Sequence, residues 1–175
     1  MAENQKSIES TDGLALMIGP VEGAPEDYAV IDLEEGINPW ETGFPNEHFD
    51  LVAVAGTLEK QPRSNVLACV SEWRRILKSG GQFDIIVPNM RWACISVVRG
   101  EFNESWPAIL ATFYGTQENE EEFHRTGFTL KMLRALLESL GFVMKQATLI
   151  PWEIVHGENT IQAEHIYIQA VKIGI

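Results

Sequence analysis

His124 is the side chain best suited to moving a proton, because a neutral imidazole can take one from a hydroxyl or an amine near neutral pH. Glu118, Glu120, Glu121 and Glu122 stand just before it, so the competing expectation is a histidine held in a surface ion pair. Tyr114 and Arg125 are suited to orienting an acceptor, Arg125 through a bidentate contact with a carboxylate or phosphate. A second group is contiguous. Gly56, Thr57, Leu58 and Glu59 follow the apolar run Asp50–Ala55 and so fall at the carboxyl end of a strand, where open parallel sheets hold ligands. Glu59 is there a second candidate for accepting a proton. The two cysteines, Cys69 and Cys94, fit neither a metal knuckle nor a redox pair. No metal is expected, and both thiols are read as reduced, partly buried small hydrophobes.

These residues need a scaffold, and the chain spells one out. Residues 1–13 are polar and without periodicity, the pattern of a flexible tail, and 14–175 are expected to form one domain around one core. Strands are expected at 14–18, 28–32, 50–55 and 83–87, each an apolar run closed by a turn former. Only nine residues separate the first two, with two prolines and two glycines among them. If those strands are parallel, their connection is a compressed loop. Arg63–Lys78 has Val66, Cys69, Val70, Trp73, Ile76 and Leu77 at helical spacing and ends in a glycine stop, so strand, helix and strand make a right-handed βαβ unit. Two short helices follow between Met90 and Phe113. Thr129 caps a leucine-lined helix that stops at Gly141. Strands at 143–150 and 164–172, with a polar turn at Glu153–Asn159 between them, form a terminal antiparallel pair.

Net charge is −12, and residues 1–59 hold 13 acidic side chains against one basic one, Lys6. A surface without Lys or Arg from residue 7 to 59 is a poor grip for a phosphate backbone, so no nucleic-acid partner is expected. The excess reads as a solvated acidic face, or as one that attracts a basic protein or a cationic ligand. No segment has the length and hydropathy of a signal peptide core or a membrane span, and the expected location is the cytoplasm, with no membrane partner.

FDLVAVAGTLEKQPRSNVLACVSEWRRILKSGGQFDIIVPN, residues 49–89, resembles the central signature of class I S-adenosylmethionine-dependent methyltransferases. In that family a Phe-Asp strand leads through a Leu-Glu-His element and a helix ending in Leu-Lys-Pro-Gly-Gly to the next strand. FYGTQENEEEFHRTGFTLKMLRALLESLGF, residues 113–142, is similar to the Tyr-Gly, Phe-His, Gly-Phe-Thr and Leu-Leu-Glu-x-x-Gly-Phe pattern of a bacterial branch associated with small molecules or sugars. The resemblance implies an α/β fold: a Rossmann-like methyltransferase sheet, mainly parallel, with an antiparallel C-terminal strand pair and a shortened N-terminal half. It implies S-adenosylmethionine as cofactor and a small-molecule or sugar-like acceptor methylated on oxygen or nitrogen. By the same resemblance Gly19 and Gly23 match the glycine turn at the cofactor's methionine part, Asp32 matches the acid that receives the ribose hydroxyls, and Glu59 matches the Leu-Glu-His glutamate.

The sequence departs from the pattern in three places. Met17 replaces a polar anchor, for which Glu22 is the local substitute if it is not an ordinary surface acid. Lys60 takes the histidine position of Leu-Glu-His. The span from Asp32 to Phe49 is too short for the usual further helix and strand, so one sheet edge is expected to be missing. Trp40 would then either cover the adenine or anchor its loop to the core. The alternative to an enzyme is a non-catalytic relative that binds a basic protein partner through the acidic first third.

Overall fold

The computed structural model of the chain describes residues 14–19, 26, 28–31, 38–100, 106–156 and 159–174. The expected tail, and Glu22, Gly23 and Asp32, lie outside them. Six strands form one sheet: β1 (Ala15–Ile18), β2 (Tyr28–Ile31), β3 (Phe49–Ala55), β4 (Leu77–Pro88), β5 (Phe142–His156) and β6 (Asn159–Lys172). Their order is β2-β1-β3-β4-β6-β5. The four strands from β2 to β4 are parallel, and β6 and β5 add antiparallel, so the mainly parallel sheet with an antiparallel terminal pair is borne out. β1 and β2 are parallel despite their nine-residue connection. β2 is the sheet's edge among the described residues, in line with the expected loss of a strand beyond it.

The helices of the described residues are α1 (Val66–Ile76), α2 (Met90–Arg99), α3 (Trp106–Tyr114) and α4 (Leu130–Ser139), and Glu120–Glu122 forms a 3-10 turn. α1 is shorter than its periodicity suggests, because Pro62–Asn65 closes a turn before it and Leu77 swings to extended backbone after it. β4 begins there, earlier than expected. The Lys78–Gly81 turn survives as an irregularity inside the strand, where the pairing jumps from Phe49–Leu77 to Leu51–Gln82. Thr129 caps α4 as expected, its side chain accepting from Met132 N. The polar turn foreseen at 153–159 is mostly strand: β5 runs to His156 and β6 starts at Asn159. Gln162 and Glu153 pair across the ladder at 2.9 Å, so polar side chains on a two-stranded ribbon had looked like a loop. Since β4 stops at its Pro88–His165 pair, β5 and β6 continue beyond it alone as an arm.

Strand alternation puts the sheet's two faces in different surroundings. Leu16, Ile18, Val52, Val54, Phe83, Ile85, Val87, Ile166, Ile168 and Ala170 are buried under α1 and α4, whose Val70, Trp73, Leu133 and Leu137 complete the core. The opposite face carries Met17, Val30, Ala53, Asp84, Tyr167 and Gln169, all only half-buried. Asp84 there accepts from Gln82 at 3.0 Å. The loop before β3 is fastened to α1 by Glu72, which accepts from Thr42 N and Oγ1 and pairs with Arg75. The guanidinium of Arg75, then Thr42, hold the Glu72 carboxyl down at about 2. Cys69 is buried, as expected, whereas Cys94 is exposed. No helix of the described residues is long and apolar enough to cross a membrane.

Candidate active site

The carboxyl ends of β1 and β3 meet at two glycines. Gly19 has φ +148, and a Cβ built on it would lie 2.2 Å from the Ala55 carbonyl oxygen, so no side chain fits where the strand ends touch. Gly56 follows β3 with φ 59. The Thr57 hydroxyl is turned inward, 3.0 Å from Ala55 O and 3.2 Å from Ile18 O, which ties the two ends together. Leu58 is wholly buried in the core. Met17 belongs to the half-buried face and brings no polar atom to this end of the sheet. Trp40 is partly buried against the core, beside the loop that Glu72 and Arg75 hold, and its contacts are those of an anchor.

Glu59 is 4% exposed, and its Oε2 has no hydrogen-bond partner. Burial pushes its carboxyl up to about 7, against which its own backbone and the neighbouring Lys60 act. Its main-chain oxygen accepts from both Arg125 N (2.8 Å) and Thr126 N (2.9 Å), and Thr126 Oγ1 donates to Gln61 O. Lys60 pairs with Glu122 at 2.7 Å. Residues 56–61 and 122–126, parts of the two stretches that carried the resemblance, are therefore laced together across the sixty residues between them.

His124 sits in this seam. Its backbone N donates to Tyr114 O at 3.0 Å, and its ring Nδ1 lies 3.1 Å from Thr112 O. A carbonyl can only accept, so Nδ1 carries the proton and Nε2 keeps its lone pair. Burial, with a smaller effect from Lys60, lowers the ring below the ordinary histidine range, so the neutral form persists at neutral pH. The surface ion pair expected as an alternative forms instead between Lys60 and Glu122. Gly115 has φ +79, and a Cβ there would overlap the Glu122 carbonyl. The Tyr-Gly and Phe-His motifs are thus two strands of backbone crossing at contact distance, a crossing that only glycine admits.

Tyr114 is exposed and lines a cleft between α3 and β5. The Arg125 side chain is exposed; only its backbone joins the seam. Sequence reasoning missed His165, which is 6% exposed on β6, stacks on Trp152 at 4.7 Å and has an unpartnered Nδ1. Burial and then the neighbouring His124 push it down to about 4. It also missed Asn89, which follows β4 and donates to Glu164 Oε1 at 2.6 Å. Asn89 had a usable signal, a cap residue directly after a strand-ending proline. His165 had none, since a buried histidine in a strand looks like any polar residue on the alternate face.

An open sheet with a glycine crest at the carboxyl ends of its parallel strands, and an antiparallel hairpin closing the far side, is the class I methyltransferase fold. Residues 22–85 match the family model described as a methyltransferase domain. A putative methyltransferase from Bacillus halodurans shares 15% identity over 94% of either chain with a TM-score of 0.62. An S-adenosylmethionine-dependent methyltransferase from Methanosarcina mazei shares 17% over 95% of either, at 0.63. The 1,6-didemethyltoxoflavin-N1-methyltransferase of Burkholderia thailandensis, solved with 1,6-didemethyltoxoflavin and S-adenosylhomocysteine, shares 12% over 93% of this chain and 72% of its own, at 0.55. At these identities the structural likeness is one of fold. No curated protein matches the sequence.

Proposed function

We propose that the chain transfers a methyl group from S-adenosylmethionine to an oxygen or nitrogen of a small-molecule or sugar-like acceptor. The observation that carries this reading is the fixed tautomer of His124, a proton acceptor held by Thr112 O beside the turn that follows β3. The methyltransferase-domain match and the fold of the neighbours support the reaction class.

The residues at the strand ends fit the cofactor in part. Gly19 and Gly56 leave the crest between β1 and β3 free of side chains, which suits close backbone approach by the methionine portion. By the family resemblance Gly23 and Asp32 would hold the methionine and ribose ends, with Glu22 as the substitute anchor. When bound, S-adenosylmethionine would supply a sulfonium methyl group open to in-line attack by an acceptor lone pair, the electron pair of the broken carbon–sulfur bond going to sulfur. The protein's share is to align the acceptor, exclude water and take the proton the acceptor releases. In this reading His124 Nε2, the nitrogen left with its lone pair, takes it. Glu59, buried and ionising near neutrality, is the second candidate for that proton, and the neighbouring Glu122 carboxylate favours a positive His124.

The binding step is tested by calorimetric titration of the chain with S-adenosylmethionine and S-adenosylhomocysteine, alongside Asp32→Ala. Binding weaker than an intact family member's, and lost in the variant, is expected, since Met17 brings no polar anchor; silence at millimolar ligand would overturn the proposal. The chemical step is tested by S-adenosylhomocysteine release with a panel of amines and phenols. His124→Asn is expected to keep cofactor binding and lose at least about a hundredfold in turnover. For the native chain, turnover is expected to decline in acid only at pH values below the ordinary histidine range. Of the acids in the rival docking face, Glu47 and Asp50 pair with Lys172 and Lys78 and Glu59 is buried, whereas Glu26 and Glu41 are exposed.

A further inference from the structure

α3 presents two stripes at helical spacing. Ala108, Ile109 and Thr112 are buried, and the Thr112 carbonyl holds the His124 ring. Pro107, Leu110, Ala111 and Tyr114 recur at the spacing of one helix face, and together with Ile154 of β5 they line a cleft of about 440 Å³. That volume lies in the range of small-ligand sites. The stripe is roughly 10 Å long at the rise of a helix, room for a flat bicyclic ring lying along it. Gly115, Thr116 and Gln117 continue the lining, and they follow the Tyr114 carbonyl that accepts from His124 N.

None of the described residues lining the cleft carries a charge at neutral pH. A charged ligand would leave water there without meeting a counter-charge, whereas a neutral ring loses little. Leu110, Ile154 and the exposed Tyr114 ring offer apolar contact. The Thr116 hydroxyl is turned to Glu122 Oε2 at 3.4 Å. Gln117 stands apart. Its backbone has φ 60, in the left-handed region that glycine adopts without cost and a glutamine does not. The residue is exposed, so core packing gives no reason for a side chain at a position where glycine would be easier. An amide in the lining does give one, because it offers a donor edge and an acceptor edge, the pair that a second amide matches.

We propose that this cleft binds an uncharged planar aromatic ring bearing a carboxamide or lactam edge, the ring along the Leu110–Tyr114 stripe and the edge paired with the Gln117 amide. That the ligand is also the methyl acceptor rests on the proposed function; the binding itself does not.

Three probes of nearly one shape separate charge from ring: indole-3-acetamide, neutral; tryptamine, a cation; and indole-3-acetate, an anion. Calorimetric titration of the full chain at about 0.15 M salt, which screens its net charge, is expected to show the amide binding at least about fivefold tighter than either ion. Gln117→Gly is expected to weaken the amide roughly three- to tenfold, the loss of one neutral hydrogen bond, and to leave the two ions unchanged. The same variant should keep or raise the melting temperature, since glycine takes that backbone without strain. Leu110→Trp, which fills the slot from a half-buried position, should abolish binding of the amide. Equal or tighter binding of either ion, no binding of the amide at millimolar concentration, full affinity in Gln117→Gly, or binding indifferent to Leu110→Trp in a chain with unchanged circular dichroism would overturn the proposal. These titrations contain no cofactor. Amide binding without any S-adenosylmethionine binding would sink methyl transfer and keep the cleft, and the reverse result would do the opposite.

Discussion

Glu59 and His165 resist charge for the same reason, burial, yet they act on stability in opposite pH ranges. In the unfolded chain the Glu59 carboxyl titrates near 4.5, and in the folded chain near 7. The folded state therefore holds that proton longer, and the stability it gives is complete below about pH 4.5 and drains away as pH rises to 7. The difference amounts to about 3 kcal/mol. His165 moves from 6.5 down to about 4, so its contribution is present above 6.5 and is lost as pH falls towards 4. Denaturant melts from pH 4.5 to 8 are expected to show Glu59→Gln gaining on the native chain as pH rises, by up to about 3 kcal/mol. Parallel curves would mean that water reaches Oε2. At this scale the sequence was legible where a motif has a backbone cause. Gly115 and His124 stand out because their main chains cross. Thr112 does not, because its part is played by a carbonyl that every residue possesses.

Among the elements, β5 shows how an exposed strand edge is kept from pairing. The Glu164 carbonyl accepts from Asn89 N, so the backbone groups of Glu164 face β4. Pro151, its partner across the β5–β6 ladder, must then turn its own backbone groups outward, where a proline has no N–H to offer. Val143 and Leu149 are exposed on the same strand, which makes the missing donor consequential. Pro151→Val, which supplies it, is expected to raise the mass seen by sedimentation as concentration increases, while the native chain stays constant. An unchanged mass would show that the strand's twist already protects it. Element types and order were readable because α1 and α4 have strong apolar periodicity and the strands have clean alternation. Boundaries were not, wherever a polar segment such as 153–156 is ordered by cross-strand pairing instead of by burial.

Across the whole molecule α1 and α4 cover one face of the sheet, while on the other face α3 packs at β6, away from the β1–β2 edge. The four-residue β2 is the sheet's edge, and its neighbour β1 is equally short. Their hydrogen bonds are shielded from one side, and local opening should cost less there than at β4 and β6, which lie between other strands. Hydrogen exchange is expected to show 15–18 and 28–31 losing protection well before 83–87 and 166–170; uniform protection would mean that the half-buried face is covered. The order of the strands also fixes the order of events at the ribosome. β6 is made after β5 but lies between β5 and β4. Until residue 172 has been synthesised, the growing chain holds β4 with Phe83, Ile85 and Val87 along an open edge, and β5 has no neighbour to join. A nascent chain halted before residue 159 is therefore a substrate for chaperones, whatever the stability of the finished sheet.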